Sequence, residues 1–138
     1  MIVTHTYFDI LRDIEIYSYI GICMCHIENI KKALGISAIA AEYFSWRSEE
    51  SKPAAQIDLL IERADRVVNV CEMKYCSGEY VLKKEEDLKI RNRIEVYKSE
   101  SNTKCAVMPV LVTTYGLQNN TYSGNIRNVI VMDDLFAK

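Results

Sequence analysis

From about Phe8 to Leu34 the apolar positions recur at helical spacing, with Ile20, Cys23, Ile27, Ile30 and Leu34 on one stripe, and the pattern predicts one long helix. Gly35 follows that stripe where a helix stop is expected, because glycine enters a left-handed C-cap without steric cost. The aromatic run from Ala41 to Trp46 predicts a strand, and Arg47 to Pro53 a polar loop. Two β-branched, apolar-rich runs come next, Gln56 to Glu62 and Val67 to Tyr75. Only Arg63 to Arg66 separate them, which predicts a hairpin. Beyond a turn at Ser77-Gly78, Leu88, Ile94 and Tyr97 mark one side of an amphipathic helix from Lys83 to Ser101. Cys105 to Tyr115 is almost continuously apolar, as a central strand buried on both faces is. A last strand, Val129 to Met132, follows a polar loop from Gln118 to Gly124. The order αβββαβ plus one more strand predicts an α/β fold with a mixed central sheet flanked by helices.

Composition narrows this picture. A chain of 138 residues, 49% hydrophobic, suffices for one core, and no repeat or Pro/Gly-rich linker interrupts it, so a single domain over residues 1–138 is expected. The net charge of -2 and pI near 5.7 leave no global positive field, so any nucleic-acid binding has to be local. Lys83, Lys84, Lys89, Arg91, Arg93, Lys98 and Lys104 crowd one segment, interleaved with Glu85, Glu86, Asp87, Glu95 and Glu100. That segment is either a solvated helix face with i,i+4 pairs or a face that tracks phosphates. Five cysteines, an odd number, fit reduced thiols in the cytoplasm. The cluster Cys23, Cys25 and His26 lacks a distant second ligand pair and reads as helix packing rather than a zinc site. No stretch approaches the roughly 20 apolar residues that cross a bilayer, so no membrane association is expected. Self-association stays open.

Three residues carry candidate chemistry. Glu72 and Lys74, two apart on a strand, share a face. A hairpin turn centred near Asp65 sets Asp58 opposite Glu72, with Cβ atoms roughly 4.5–5.5 Å apart. Two carboxylates so placed repel each other unless a cation lies between them, and an oxygen-only set suits Mg²⁺ or Mn²⁺. The Lys74 ammonium beside them can orient an attacking water and stabilise phosphate charge. This is the chemistry of metal-assisted phosphodiester hydrolysis. The competing reading is an exposed polar face held by a salt bridge worth under about 1 kcal/mol.

Gln56-Ile-Asp-Leu-Leu-Ile and Val70-Cys-Glu-Met-Lys-Tyr, in the order αβββαβ, resemble the PD-(D/E)XK nuclease superfamily over most of the chain. More narrowly, residues 30–36, 43–48, 56–61, 71–74 and 114–117 are similar to the C-terminal nuclease-like domain of bacterial and archaeal-type AAA ATPases. The resemblance implies a restriction-endonuclease-like core, with Mg²⁺ or Mn²⁺ bound by Asp58, Glu72 and the Met73 carbonyl, and Lys74 as catalytic lysine. It further implies DNA as substrate and a P-loop ATPase domain or protein as partner, since no Gly-x-x-x-x-Gly-Lys-Ser/Thr loop occurs in this chain. Gln56, on the Asp58 face, and Arg91, Arg93 and Tyr97, on the second long helix, are the candidate substrate contacts. One departure stands out: Ile20 occupies the first-helix position where many members carry an acid, and Glu15 and Glu28 are the substitutes at hand. Two functions follow. One is a metal-dependent nuclease working with an ATPase module; the other is a catalytically degenerate interaction or nucleic-acid-binding module of such a system.

Overall fold

The computed structural model describes residues 7–51 and 54–138, with side chains from Glu15 onward; His5 and Pro53 lie outside them. Two helices, α1 (Tyr7–Cys25) and α2 (Ile27–Ala33), precede three strands, β1 (Ala41–Arg47), β2 (Gln56–Arg63) and β3 (Val67–Lys74). Helix α3 (Lys84–Ser101) then leads to β4 (Ala106–Thr113), and a 3₁₀ turn at Ser123–Asn125 to β5 (Asn128–Ile130) and the short α4 (Met132–Leu135). The five strands form one sheet in sequence order. β1, β2 and β3 pair antiparallel, whereas β3, β4 and β5 run parallel. The fold is thus α/β, a mixed sheet flanked by helices.

Strand alternation divides the core into two layers. Leu59, Ile61, Cys71, Met73, Val110, Val112 and Ile130 face Tyr19, Cys23, Ile27 and Ile30 of the first two helices and Leu135 of α4. Ile57, Leu60, Val68 and Val70 face the other way, toward Tyr97 of α3, and Leu111 packs there with Ile90. Both faces being covered explains why β3 and the end of β4 are buried at nearly every position.

The single helix expected from Phe8 to Leu34 is two helices. His26 leaves helical geometry at φ -118° and ψ 32°, its N–H reaching back to the Cys23 carbonyl at 3.0 Å. Its ring packs edge-on against Phe136 at 4.7 Å, and Asn29 donates to the Leu135 carbonyl, so the break seats α2 against the C-terminal helix. Gly35, at φ 74°, ends α2 as expected. The Ile36 N–H bonds the Lys31 carbonyl and the Gly35 N–H that of Lys32, both at 3.0 Å, which is the Schellman arrangement.

The last strand is Asn128–Ile130 rather than Val129 to Met132. Asp134 accepts the Val131 N–H at 2.9 Å, and this reverse cap turns Met132 into the first residue of α4. In the hairpin turn Arg63 pairs with Asp65 at 2.5 Å and donates to the buried Asn69 at 3.2 Å. Beyond β3, Thr114 Oγ1 accepts the Cys76 N–H at 3.1 Å and donates to the Cys76 carbonyl. Cys23 lies in the core and all five cysteines are unpaired. Among the described residues no helix is long and apolar enough to cross a membrane.

Candidate functional site

Asp58 owes its position to an irregularity in β2. Phe44 pairs with Leu60 but Trp46 pairs with Ile57, so Asp58 and Leu59 together stand against the single Ser45. This β-bulge is why Ile57 and Leu60, three residues apart, share one core layer while Leu59 stays in the other. Ser45 Oγ donates to the Asp58 carbonyl at 2.9 Å. Toward β3 the register is the one expected, but the last paired rung is Leu59 with Cys71, one short of Asp58 and Glu72. At the missing rung the Met73 N–H donates to Asp58 Oδ2 at 3.0 Å. The Asp58 carboxylate is therefore tied to the β3 backbone. The N–H and carbonyl of one strand residue face the same neighbour, so the Met73 carbonyl is also turned to the β2 side. The Met73 side chain itself is core.

Glu72 is buried, with 4% of its surface exposed, rather than on an open hairpin face. Desolvation pushes its pKa up to about 7, and the nearby Asp58 charge adds to this, against the pull of Arg93 and Lys74. Arg93 Nη1 lies 3.0 Å from Glu72 Oε2, whereas Oε1 is buried without a hydrogen-bond partner. Leaving such an oxygen unpaired costs about 1–3 kcal/mol. Lys74 pairs with neither of the two carboxylates: its Nζ sits 2.6 Å from Glu86 Oε1, which is also 3.8 Å from Arg93 Nη1. Lys74, Glu86, Arg93 and Glu72 thus form a chain of alternating charge between β3 and α3. Burial opposes the Glu86 charge, but Lys74 and then Arg93 and Lys89 outweigh it and hold its carboxyl below the usual range.

Glu86 is the site residue that sequence patterning missed, because it lies between Glu85 and Asp87 in what reads as a solvated first turn. The available signal was spacing: Glu86, Ile90, Arg93 and Tyr97 fall at helical intervals, and Ile90 and Tyr97 are core. Tyr97 is not a substrate contact. It is 2% exposed, packs edge-on against Trp46 at 5.4 Å and donates to Glu62 Oε1 at 3.2 Å. Arg91 also lies off the site, on an exposed face, paired with the buried Asp87 at 3.0 Å. Asp87 in turn accepts Asn125 Nδ2 at 3.0 Å and so docks the start of α3. Gln56 is exposed at the start of β2, next to two cavities described below.

Ile20 does face this region. It lines a cavity of about 250 Å³ with Ser45, Trp46, Gln56 and Asp58. Neither Glu15, beside Tyr19 and Tyr75 in a separate cavity, nor the exposed Glu28 of α2 lines it. Among the described residues no group of three His, Cys, Asp or Glu side chains converges as a metal site. The donors at hand are two carboxylates and a strand carbonyl, and a hard cation accepts such a set when water completes its shell. The unpartnered Glu72 Oε1 is the atom that fits this use.

No model of a known protein family matches the chain, and no curated protein matches it in sequence. A crystal structure of the protein of unknown function AF1548 is similar in fold, with a TM-score of 0.56 at 14% identity over 85% of this chain. The chain spans 64% of the length of that protein. At this identity the likeness is one of fold alone.

Proposed function

We propose that this chain is a PD-(D/E)XK-type phosphodiesterase domain that hydrolyses DNA with Mg²⁺ or Mn²⁺, centred on Asp58, Glu72 and Lys74. One observation carries the reading: a buried carboxylate, Glu72, keeps one oxygen without a partner within electrostatic reach of Asp58, whose own carboxylate is bonded to the Met73 N–H. A protein gains no stability from that arrangement, so a ligand is its best rationale. Asp58, Glu72 and the Met73 carbonyl would hold the cation, which when bound supplies Lewis acidity and a water acidified toward neutral pH. Lys74, held and aimed by Glu86, stabilises negative charge on the phosphate and donates hydrogen bonds to the attacking water. Arg93 neutralises Glu72 Oε2 and limits repulsion between Glu72 and Asp58. An ATPase partner supplied by another domain or chain belongs to the same proposal and is tested by co-purification of the full-length protein.

The test is cleavage of labelled oligonucleotides in millimolar Mg²⁺ or Mn²⁺, alongside calorimetric titration of the ion. Wild type should cleave and show metal-dependent heat, and Asp58→Asn, Glu72→Gln and Lys74→Ala should each lose about 100-fold or more in rate. Absence of both cleavage and heat in the wild type would sink the proposal. Heat without cleavage would favour the second reading, a degenerate nucleic-acid-binding module, which Ile20 in the Asp58 cavity supports.

A further inference from the structure

Helix α3 carries more cations than the candidate centre uses, and they are not equivalent. Arg91 pairs with Asp87 at 3.0 Å, Lys98 approaches Glu95 at 3.7 Å, and Arg93 is held by Glu72 and Glu86. Lys89 makes no ion pair among the described residues. It lines, with Ala54, Ala55, Gln56, Asn92 and Arg93, a groove of about 480 Å³ between the start of β2 and α3. Arg93 is common to this groove and to the Glu72 ion pair, so the groove ends at the candidate centre. A second cavity of about 340 Å³ adjoins it further along α3, and its walls are acidic, with Glu50, Glu95 and Glu100. The helix therefore passes from a cationic to an anionic stretch. A polyanion running along it is attracted at Lys89 and Arg93 and repelled beyond Val96. The favourable stretch, from Lys89 to Val96, is about 10 Å long at the helical rise.

We infer that this groove binds the phosphodiester backbone of a nucleic-acid strand, with Lys89 and Asn92 as its contacts and Arg93 joining it to the cleavage centre. The inference rests on the proposed nuclease reading and adds to it the path by which the strand leaves the centre. Lys89 supplies a mobile point charge, and the Asn92 amide can donate to a phosphate oxygen without adding charge. Gln56, across the groove on β2, offers a second neutral donor.

Binding of fluorescent single-stranded and duplex oligonucleotides of one sequence, measured in EDTA over a range of salt, tests this apart from catalysis. Lys89→Ala should weaken binding about fivefold and lower the salt slope by about one. Asn92→Ala should weaken binding with the slope unchanged, and Lys104→Ala, the same charge change away from the groove and its acidic neighbour, should leave the affinity alone. All three positions are exposed, so the fold is not at stake. Loss with Lys89→Ala in either arm supports the groove, and the arm identifies whether the strand enters alone or within a duplex. Affinities equal to wild type in both arms overturn the groove while wild-type cleavage keeps the nuclease reading. A wild type that neither binds nor cleaves overturns both.

Discussion

Glu86 Oε1 stands 2.6 Å from Lys74 Nζ, across the gap between α3 and the end of β3. This contact ties the candidate catalytic ammonium to the helix, and through Arg93 the same carboxylate is coupled to Glu72. The site is one charge network on two elements, and a substitution at either end changes the other.

Removing Glu86 should act on rate more than on stability. Both side chains are about one-fifth exposed, and partly exposed pairs are worth about 1 kcal/mol or less. Glu86→Gln should lower cleavage about 10- to 100-fold, because Lys74 loses the partner that holds its ammonium in place. Glu86→Asp should recover part of the rate. A wild-type rate in Glu86→Gln, or no recovery in Glu86→Asp, would rule out this positioning role.

Glu72 makes the metal-free protein sensitive to pH. Its folded pKa is about 7, against about 4.3 in an unfolded chain, so the folded state holds the proton more tightly. The contribution to stability is full below about pH 4 and is lost as pH rises through about 7, by up to roughly 4 kcal/mol. In EDTA, Glu72→Gln should therefore melt higher than wild type at pH 8 and show a flatter profile from pH 5 to 7. Melting curves that run parallel for the two proteins would contradict the assignment.

Tyr97 and Arg91 separate core from site. Tyr97→Phe removes the hydrogen bond to Glu62, at a cost of about 1 kcal/mol, and should leave cleavage unchanged in the folded protein. Arg91→Ala breaks only the exposed end of the Asp87 pair and should also leave the rate unchanged. A tenfold fall in rate for either, with the fold intact by circular dichroism, would return it to the site.

Ile20→Glu would place a carboxylate in the cavity that Asp58 lines. Binding of Mn²⁺ should tighten several-fold, since ligand charge sets the affinity of a hard-cation site. Unchanged calorimetric affinity would mean that the introduced side chain does not reach the Asp58 carboxylate.

The element order and the hairpin register were legible because β2 and β3 are apolar on both sides of a short turn, and alternation leaves one way to seal the core. The break at His26 was not, since Cys23, Ile27 and Ile30 are all buried and the apolar stripe runs through it. Nor was the bulge: Ile57, Leu59 and Leu60 are all apolar, so an extra residue leaves no mark on the pattern. Asp58 and Glu72 could be proposed from type and spacing, whereas the burial of Glu72 depends on α3 packing over β3. Glu86, and the pairing of Arg93 with Glu72, needed the rotation of that helix, which Ile90 and Tyr97 encode but their charged neighbours obscure.

The extra residue in β2 acts as a frame shift within the strand. Upstream and downstream segments keep independent alternation, so Ile57 and Leu60 can seal one layer while the residue beside Ser45 is released from both. Deleting Leu59 would restore a single phase along the strand: Ile57 and Leu60, then two apart, would keep their common layer, while the opposite layer would lose Leu59. The deletion would instead turn Asp58 into the place that Leu59 vacates, setting a carboxylate in an apolar layer and taking it from the rung beside Met73.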